Sequence, residues 1–133
     1  MFRTVLQNAI YVPSTDNYHV SVHRHDFKVV SILNYGEVIV DGGLEYIRRS
    51  YSTNVIPHFK EFSLYTDDSF TEEIVPKLLW GTRGKDGKQP VKYVPLNSLE
   101  TDHLESILKN CSSYITDPHL FTIVYILKQR KQE

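Results

Sequence analysis

The stretch WGTRGKDGKQPVKYVPLNSLETDHLESILKN, residues 80–110, governs our prediction of the fold. It opens with a loop in which three glycines, Gly81, Gly84 and Gly87, are separated by mostly charged residues. An Asp-Gly dipeptide in this loop supplies the backbone angles of a tight turn, so we expect the chain to fold back on itself there. VKYVPL then alternates like a strand as far as Pro95, which has no N–H with which to continue a ladder.

A helix is expected directly after this strand. Ser98 or Thr101 is placed to cap it, and acidic residues follow in its first turn, where the helix dipole favours them. Leu104, Ile107 and Leu108 recur at helical spacing and form its apolar stripe. The stretch therefore predicts a glycine-rich hairpin followed by one amphipathic helix.

The length, net charge and composition are those of an ordinary globular protein. Its 133 residues predict a single domain, 1–133, that buries about two-thirds of its unfolded surface. A net charge of -1 argues against a nucleic-acid coat protein or a polybasic membrane binder, although a local basic patch stays open. The one cysteine, Cys111, excludes an internal disulfide. No apolar run reaches the roughly 18 residues of a membrane helix, and residues 1–12 do not resemble a signal peptide, so we expect a cytoplasmic protein.

The N-terminal part of the chain has the composition of a sheet. Alternation predicts strands in residues 3–12, 18–23, 26–33 and 37–41, with 44–51 as a further strand or one helical turn. Asn-Tyr-Gly before the fourth segment predicts a hairpin. The first fifty residues are thus expected to form an antiparallel β-meander.

The rest of the chain adds one strand and two further helices. Residues 59–65 alternate and predict a strand. Ser69, followed three residues later by an acid, predicts a capped helix that Pro76 must kink or shorten. Asp117 and Pro118 predict the start of a C-terminal helix. The predicted fold class is α+β, an antiparallel meander of about five strands with two or three helices packed on one side.

The tetrad HRHD at 23–26 has the strongest chemical character in the chain. On a strand, His23 and His25 point to one face and Asp26 to the other, while His19 lies further along the first face. A zinc site needs three or four protein ligands, so we favour hydrogen bonding at strand ends and predict no metal and no cofactor.

A second group is Asp41-Gly42-Gly43, which precedes two arginines. The glycines permit a sharp corner, and Asp41 is placed to accept a hydrogen bond from Arg24 or Arg49. We favour this ion pair over a catalytic role.

The glycine-rich loop carries a basic tip. GTRGKDGK is not a nucleotide P-loop, because a strand rather than a helix follows it. Arg83, Lys85 and Lys88 nevertheless surround the turn, where an anion could approach closely. Trp80 beside them either stacks on a base or ring or belongs to the core.

Three segments resemble one family. HRHDF (23–27), VDGGLEYIRR (40–49) and WGTRGKDGKQPVKYVPL…TDHLESIL (80–108) are similar, in order and spacing, to a family of small uncharacterised proteins of tailed bacteriophages and some bacteria. Many members carry a CxxC before the HDF-type motif and a CxC after it. The four positions here are Val12, Thr15, Val30 and Ile32, so the resemblance implies that a zinc knuckle has been replaced by apolar packing.

The resemblance implies a phage accessory protein that acts in the host cytoplasm, and it implies no reaction. Our first hypothesis is a non-catalytic protein that binds and inhibits or redirects a host or defence factor. The second is a small-ligand or nucleotide-phosphate binder whose arginines and lysines converge on phosphate. The third is a small phosphodiester hydrolase that uses the histidines and aspartates.

We further expect the motif groups to meet around one groove. The double change Arg83→Ala with Lys85→Ala should then abolish binding without lowering the melting temperature. The candidate partner- or ligand-binding residues are His23, Arg24, His25, Asp26, Asp41, Arg48, Arg49, Trp80, Arg83, Lys85 and Lys88.

Overall fold

The computed structural model describes residues 3–21, 27–83, 87–111 and 115–132. The strands in this part of the chain are β1 (Val5–Gln7), β2 (Ala9–Val12), β3 (Asn17–Val20), β4 (Phe27–Ile32), β5 (Gly36–Gly42), β6 (Ile47–Tyr51), β7 (Lys60–Glu61), β8 (Leu64–Tyr65), β9 (Leu79–Thr82) and β10 (Lys92–Pro95). The α-helices are α1 (Val75–Lys77), α2 (Thr101–Asn110) and α3 (Asp117–Lys131). A π-helical turn, Phe70–Ile74, leads into α1, and 3-10 helices cover Thr53–His58 and Leu96–Ser98.

The described strands form three antiparallel sheets. Their orders are β1-β8, β7-β2-β3-β10-β9 and β4-β5-β6. The α+β class predicted from the sequence is therefore confirmed. The strands are more numerous than expected, however, and those of the first fifty residues are divided among the three sheets instead of forming one continuous meander.

Two predicted strands are each split between two sheets. Residues 3–12 form β1 and β2, which part at Asn8; β1 pairs with β8, whereas β2 pairs with β3 and β7. Residues 59–65 likewise form β7 and β8, separated at Phe62 and Ser63. The N–H of Phe62 donates to the carbonyl of Ala9 over 2.9 Å and so ties the two breaks together. The change from one sheet to another at Asn8 creates the candidate site.

The predicted hairpin between β4 and β5 is confirmed. Asn34 adopts a left-handed φ of 74°, which asparagine tolerates better than most residues. The resulting register pairs Val30 with Val38 and places alternate residues of both strands on the buried face. The segment 44–51 is resolved in favour of a strand, β6.

Two apolar clusters form the core. The first lies between β2 and the β4-β5-β6 sheet and consists of Ile10, Val12, Val30, Ile32, Val38, Val40 and Val55. Val12, Val30 and Ile32, three of the positions at which members of the resembled family carry cysteine, are buried packing residues here. The second cluster lies under the helices and includes Leu64, Leu78, Leu96, Leu104 and Ile123. Leu104 and Ile107 are buried, as the predicted stripe of α2 requires.

The predicted caps are replaced by other contacts. Glu100 precedes α2 without a side-chain cap, Ser98 Oγ donates to the Pro95 carbonyl over 2.7 Å, and Thr101 Oγ1 accepts from Arg130 over 3.1 Å. Ser69 also makes no side-chain cap bond. Ser98 thus bonds to a backbone carbonyl and Thr101 to a distant arginine, and neither side chain caps α2.

Proline shapes two of the helices. The helix after Ser69 is short, as Pro76 predicts, and the chain leaves it at Leu78 with an extended ψ of 126°. α3 has Pro118 in its first turn, as predicted, but the residue that precedes the helix is Thr116 and not Asp117. None of the described helices is long and apolar enough to cross a bilayer.

Candidate functional site

A cleft of about 590 Å³ opens where the break between β1 and β2 meets two other parts of the chain. One is the corner after β5 and the other is the β9–β10 hairpin, with α3 behind it. The lining of the cleft includes Gln7, Asn8, Gly42, Trp80, Tyr93 and His119.

Asn8 is the unusual residue of this cleft. Asn8 is only 6% exposed, and neither Oδ1 nor Nδ2 of its side chain has a hydrogen-bond partner in the described structure. Its backbone carbonyl, by contrast, accepts the N–H of Ser21 over 3.0 Å. A buried polar group that is left unpaired costs on the order of 1–3 kcal/mol, so native proteins keep few of them.

Gly42 allows Asn8 to take this position. A Cβ added to Gly42 would lie 2.6 Å from Nδ2 of Asn8 and 2.7 Å from the carbonyl oxygen of Tyr46. Both distances are far below van der Waals contact. The Gly-Gly corner predicted from the sequence therefore exists, and its first glycine makes room for the carboxamide.

Gln7, one residue earlier, contrasts with Asn8. Its Nε2 donates to the carbonyls of Phe62 and Lys77 over 2.8 and 2.9 Å, and its Oε1 accepts the N–H of Leu79 over 2.8 Å. This side chain joins β1 to the start of β9 and to the segment between β7 and β8. Gln7 serves the fold, whereas the neighbouring carboxamide contributes no such bond.

His119 forms a fixed wall of the cleft. Nε2 lies 3.0 Å from the carbonyl oxygen of Leu79, which can only accept, so Nε2 carries the proton. Burial lowers the pKa of His119, against the opposing effect of that hydrogen bond, and keeps the ring neutral. Nδ1 then accepts the hydroxyl of Thr116 over 2.6 Å. Since both ring nitrogens are engaged, His119 is not available as a general base.

Two aromatic side chains complete the walls. The Trp80 ring meets His119 edge-on, with centroids 5.8 Å apart and planes at 67°. Tyr93 lies over Gly81, because a Cβ at Gly81 would be 3.1 Å from Cε1 of the tyrosine. Among the described residues lining the cleft there is no Asp, Glu, Lys or Arg. The described lining is thus neutral, partly aromatic and provided with one unpaired carboxamide.

The predicted site residues are only partly brought together. The Gly42-Gly43 corner and Trp80 do meet in the cleft. Asp41 lies opposite Arg48 on the neighbouring strand, 3.8 Å from it, and Arg48 is neither of the two predicted partners. Of those two, Arg24 lies outside the described residues. Arg49 pairs instead with Glu61.

The Arg49 ion pair belongs to the junction between the sheets. Nη2 lies 2.6 Å from Oε1 of Glu61 and 2.8 Å from the hydroxyl of Ser63, and the arginine side chain is 10% exposed. Arg48 is 70% exposed and its guanidinium lies 5.4 Å from the Tyr46 ring centre. Successive strand residues point to opposite faces, so the two arginines do not converge on one anion.

The basic loop lies outside the described lining of the cleft. Arg83 and Lys88 are exposed, and the Arg83 carbonyl accepts the N–H of Gln89 over 3.0 Å. His23, Arg24, His25, Asp26 and Lys85 lie outside the described residues. In the described part of the chain no three His, Cys, Asp or Glu side chains are grouped for a metal ion. The prediction of no zinc stays a prediction, because two of the histidines concerned are not described.

Sequence reasoning missed Asn8, Gln7, Tyr93 and His119. A signal for the first two was present: Gln-Asn interrupts the apolar run VLQNAIYV in the middle of a predicted strand. A polar pair in such a run marks either a strand break or buried polar contacts, and here it marks both.

No protein-family model, no curated protein and no solved structure was found to match this chain. The resemblance to the phage and bacterial family stays a prediction.

Proposed function

We propose that this protein binds a small uncharged organic molecule in the cleft beside Asn8 and carries out no reaction on it. The observation that carries the proposal is the Asn8 carboxamide, which is buried and unpaired in the described structure and belongs to a residue that lines the cleft. A ligand that hydrogen-bonds to it removes the cost of its burial, and this gain adds to the binding free energy.

The size and chemistry of the cleft support the same function. Small-molecule sites commonly measure about 300–1,000 Å³, with mostly apolar walls and a few polar groups that orient the ligand. The cleft, at about 590 Å³, combines aliphatic side chains with Trp80, Tyr93 and two carboxamides, of which that of Asn8 is unpaired in the described structure.

The other two functions predicted from the sequence draw less support from this site. A phosphate site needs cations, and the described lining contains none. A hydrolase needs a base with a free nitrogen or carboxylate, whereas both nitrogens of His119 are bonded. An accessory role in an infected host, through a host or defence protein, rests on the family resemblance alone.

The test of the proposal uses the neutral fluorescent dye N-phenyl-1-naphthylamine. We expect it to bind and to shift the NMR signals of Asn8 and of the Trp80 indole. Val91→Trp should block the cleft, because Val91 lines it and is 43% exposed, so a larger side chain can be accommodated at its mouth.

The matched control is Val29→Trp. Val29 is similarly exposed, at 48%, but lies on β4 and not in the cleft, so this variant should bind the dye as the native protein does. Dye binding that is unchanged in Val91→Trp would overturn the proposal, as would the failure of both the dye and the other uncharged molecules titrated below to bind.

A further inference from the structure

We propose that the molecule held in the cleft is a nucleobase, either free or as its nucleoside. This inference rests on the proposed function, because it assigns a chemical class to the ligand of that site.

The first step is the chemistry of the unpaired group. The Asn8 carboxamide carries a donor and an acceptor side by side, and neither has a partner in the described structure. Asparagine pairs in this bidentate manner with the edge of a nucleobase that shows an adjacent donor and acceptor. An aliphatic or purely aromatic ligand would leave both atoms unpaired.

The second step is the freedom of this carboxamide. No hydrogen bond from a described residue fixes which of its two atoms is the nitrogen. The two polar atoms are closed to water, so the proposed pairing requires the side chain to rotate away from Gly42. Gln7, by contrast, is held by three bonds and cannot turn toward a ligand without losing them.

The third step is the aromatic surface. Trp80 and Tyr93 belong to adjacent strands, β9 and β10, and both line the cleft. The register pairs Trp80 with Val94 and Tyr93 with Gly81, so the two side chains leave the ladder on opposite faces and each offers a separate ring for stacking. His119 contacts the indole ring edge-on and supports its orientation. Planar bases stack on such rings, and stacking is available to every base.

The fourth step is charge. The described lining carries no cation and no carboxylate, which favours a base or nucleoside over a nucleotide. A phosphate moved into the cleft would lose its hydration without gaining a cationic partner among the described lining residues. The 5′-monophosphates should therefore bind no better than the nucleosides.

The experiment is calorimetric titration of the full chain with adenosine, guanosine, cytidine and uridine, their 5′-monophosphates, and N-phenyl-1-naphthylamine. We expect at least one nucleoside to bind at about 1 mM or below. In Asn8→Leu its affinity should fall on the order of 10- to 100-fold, since a bidentate pair to a base has about this effect, while dye binding persists. Should Asn8→Leu fail to fold, Val91→Trp replaces it and should abolish both nucleoside and dye binding.

The outcomes separate this inference from the proposed function. If the dye binds in the cleft and no nucleoside does, the nucleobase is refuted and the small-molecule site stands. Should neither bind, both proposals fail. The inference is also overturned if Asn8→Leu binds the nucleoside normally, or if a monophosphate binds more than about tenfold tighter than its nucleoside, since a cation site would then be required.

Discussion

Replacing Asn8 by leucine tests whether the carboxamide serves the fold or a ligand. Leucine keeps the branch at Cγ and removes both polar atoms. The unpaired donor and acceptor cost the folded state on the order of 1–3 kcal/mol, so their removal should stabilise it. The opposing effect is crowding, because the methyl groups are larger and the side chain lies against Gly42. Overpacking destabilises a protein by about 1–3 kcal/mol where the neighbouring atoms cannot move apart. Here the open cleft beside residue 8 leaves room for the leucine side chain to move.

We therefore expect the free energy of unfolding of Asn8→Leu to stay unchanged or to rise by up to about 2 kcal/mol. For a chain of this length each kcal/mol corresponds to a shift of about 4 °C in the melting temperature. Urea denaturation followed by tryptophan fluorescence and circular dichroism measures the change, and an unchanged m-value shows that both states kept their compactness.

The matched control is Gln7→Leu, the same chemical change one position earlier. It removes three hydrogen bonds and strands the N–H of Leu79 and the carbonyls of Phe62 and Lys77, so it should destabilise by about 3 kcal/mol or more. If Asn8→Leu destabilises to a similar extent, the carboxamide has a structural role and the argument for a ligand site is refuted.

Three other perturbations test the structure around the cleft. Burial lowers the pKa of His119 and of His19, so the unfolded chain binds a proton at each histidine more readily than the folded protein does. The free energy of unfolding should therefore fall as the pH drops below about 6.5. His119→Gln should make that fall smaller, as measured by urea denaturation at about pH 7.5 and 5.5. Gly42→Ala should destabilise by more than about 1 kcal/mol, since its Cβ would meet a main-chain oxygen at 2.7 Å, and a native-like melting temperature would contradict this. Arg49→Ala should lower the free energy of unfolding by about 1–3 kcal/mol, because the Arg49 side chain is 10% exposed and multiply bonded. Arg48→Ala should change it very little, because Arg48 is 70% exposed and 3.8 Å from its partner. Equal losses of stability in the two variants would show that the ion pairs are assigned wrongly.

The features that sequence predicted correctly depend on near neighbours in the chain. Asn34 and the glycine two residues later determine the β4–β5 hairpin locally, and the spacing of Leu104 and Ile107 determines the buried face of α2. Pro76 cannot donate to the preceding turn, and that turn, Phe70–Ile74, is π-helical and leads into only three α-helical residues. Each of these effects acts within a few residues and is readable from the sequence.

The distribution of strands among three sheets depends on distant partners. β1 pairs with β8 and β2 with β3 and β7, and the alternation of residues 3–12 is the same whichever partner is chosen. One of the predicted caps failed for a related reason: Thr101 bonds to Arg130, almost thirty positions away. Long-range partners compete with local ones, and their positions are not encoded in a local pattern.

The candidate site shows the same limit in its sharpest form. The sequence drew attention to charge, yet Arg49 is engaged with Glu61, and the cleft lining that the structure describes is neutral. Gln7 and Asn8 are adjacent, chemically alike and both buried, and no property of the sequence distinguishes them. Their difference is geometric. The Gln7 side chain bonds to one backbone N–H and two backbone carbonyls, whereas the Asn8 side chain lies against Gly42 beside the cleft. A fold that needed only to be stable would gain from an apolar residue at the second position, so the unpaired carboxamide is better explained by a molecule that binds there.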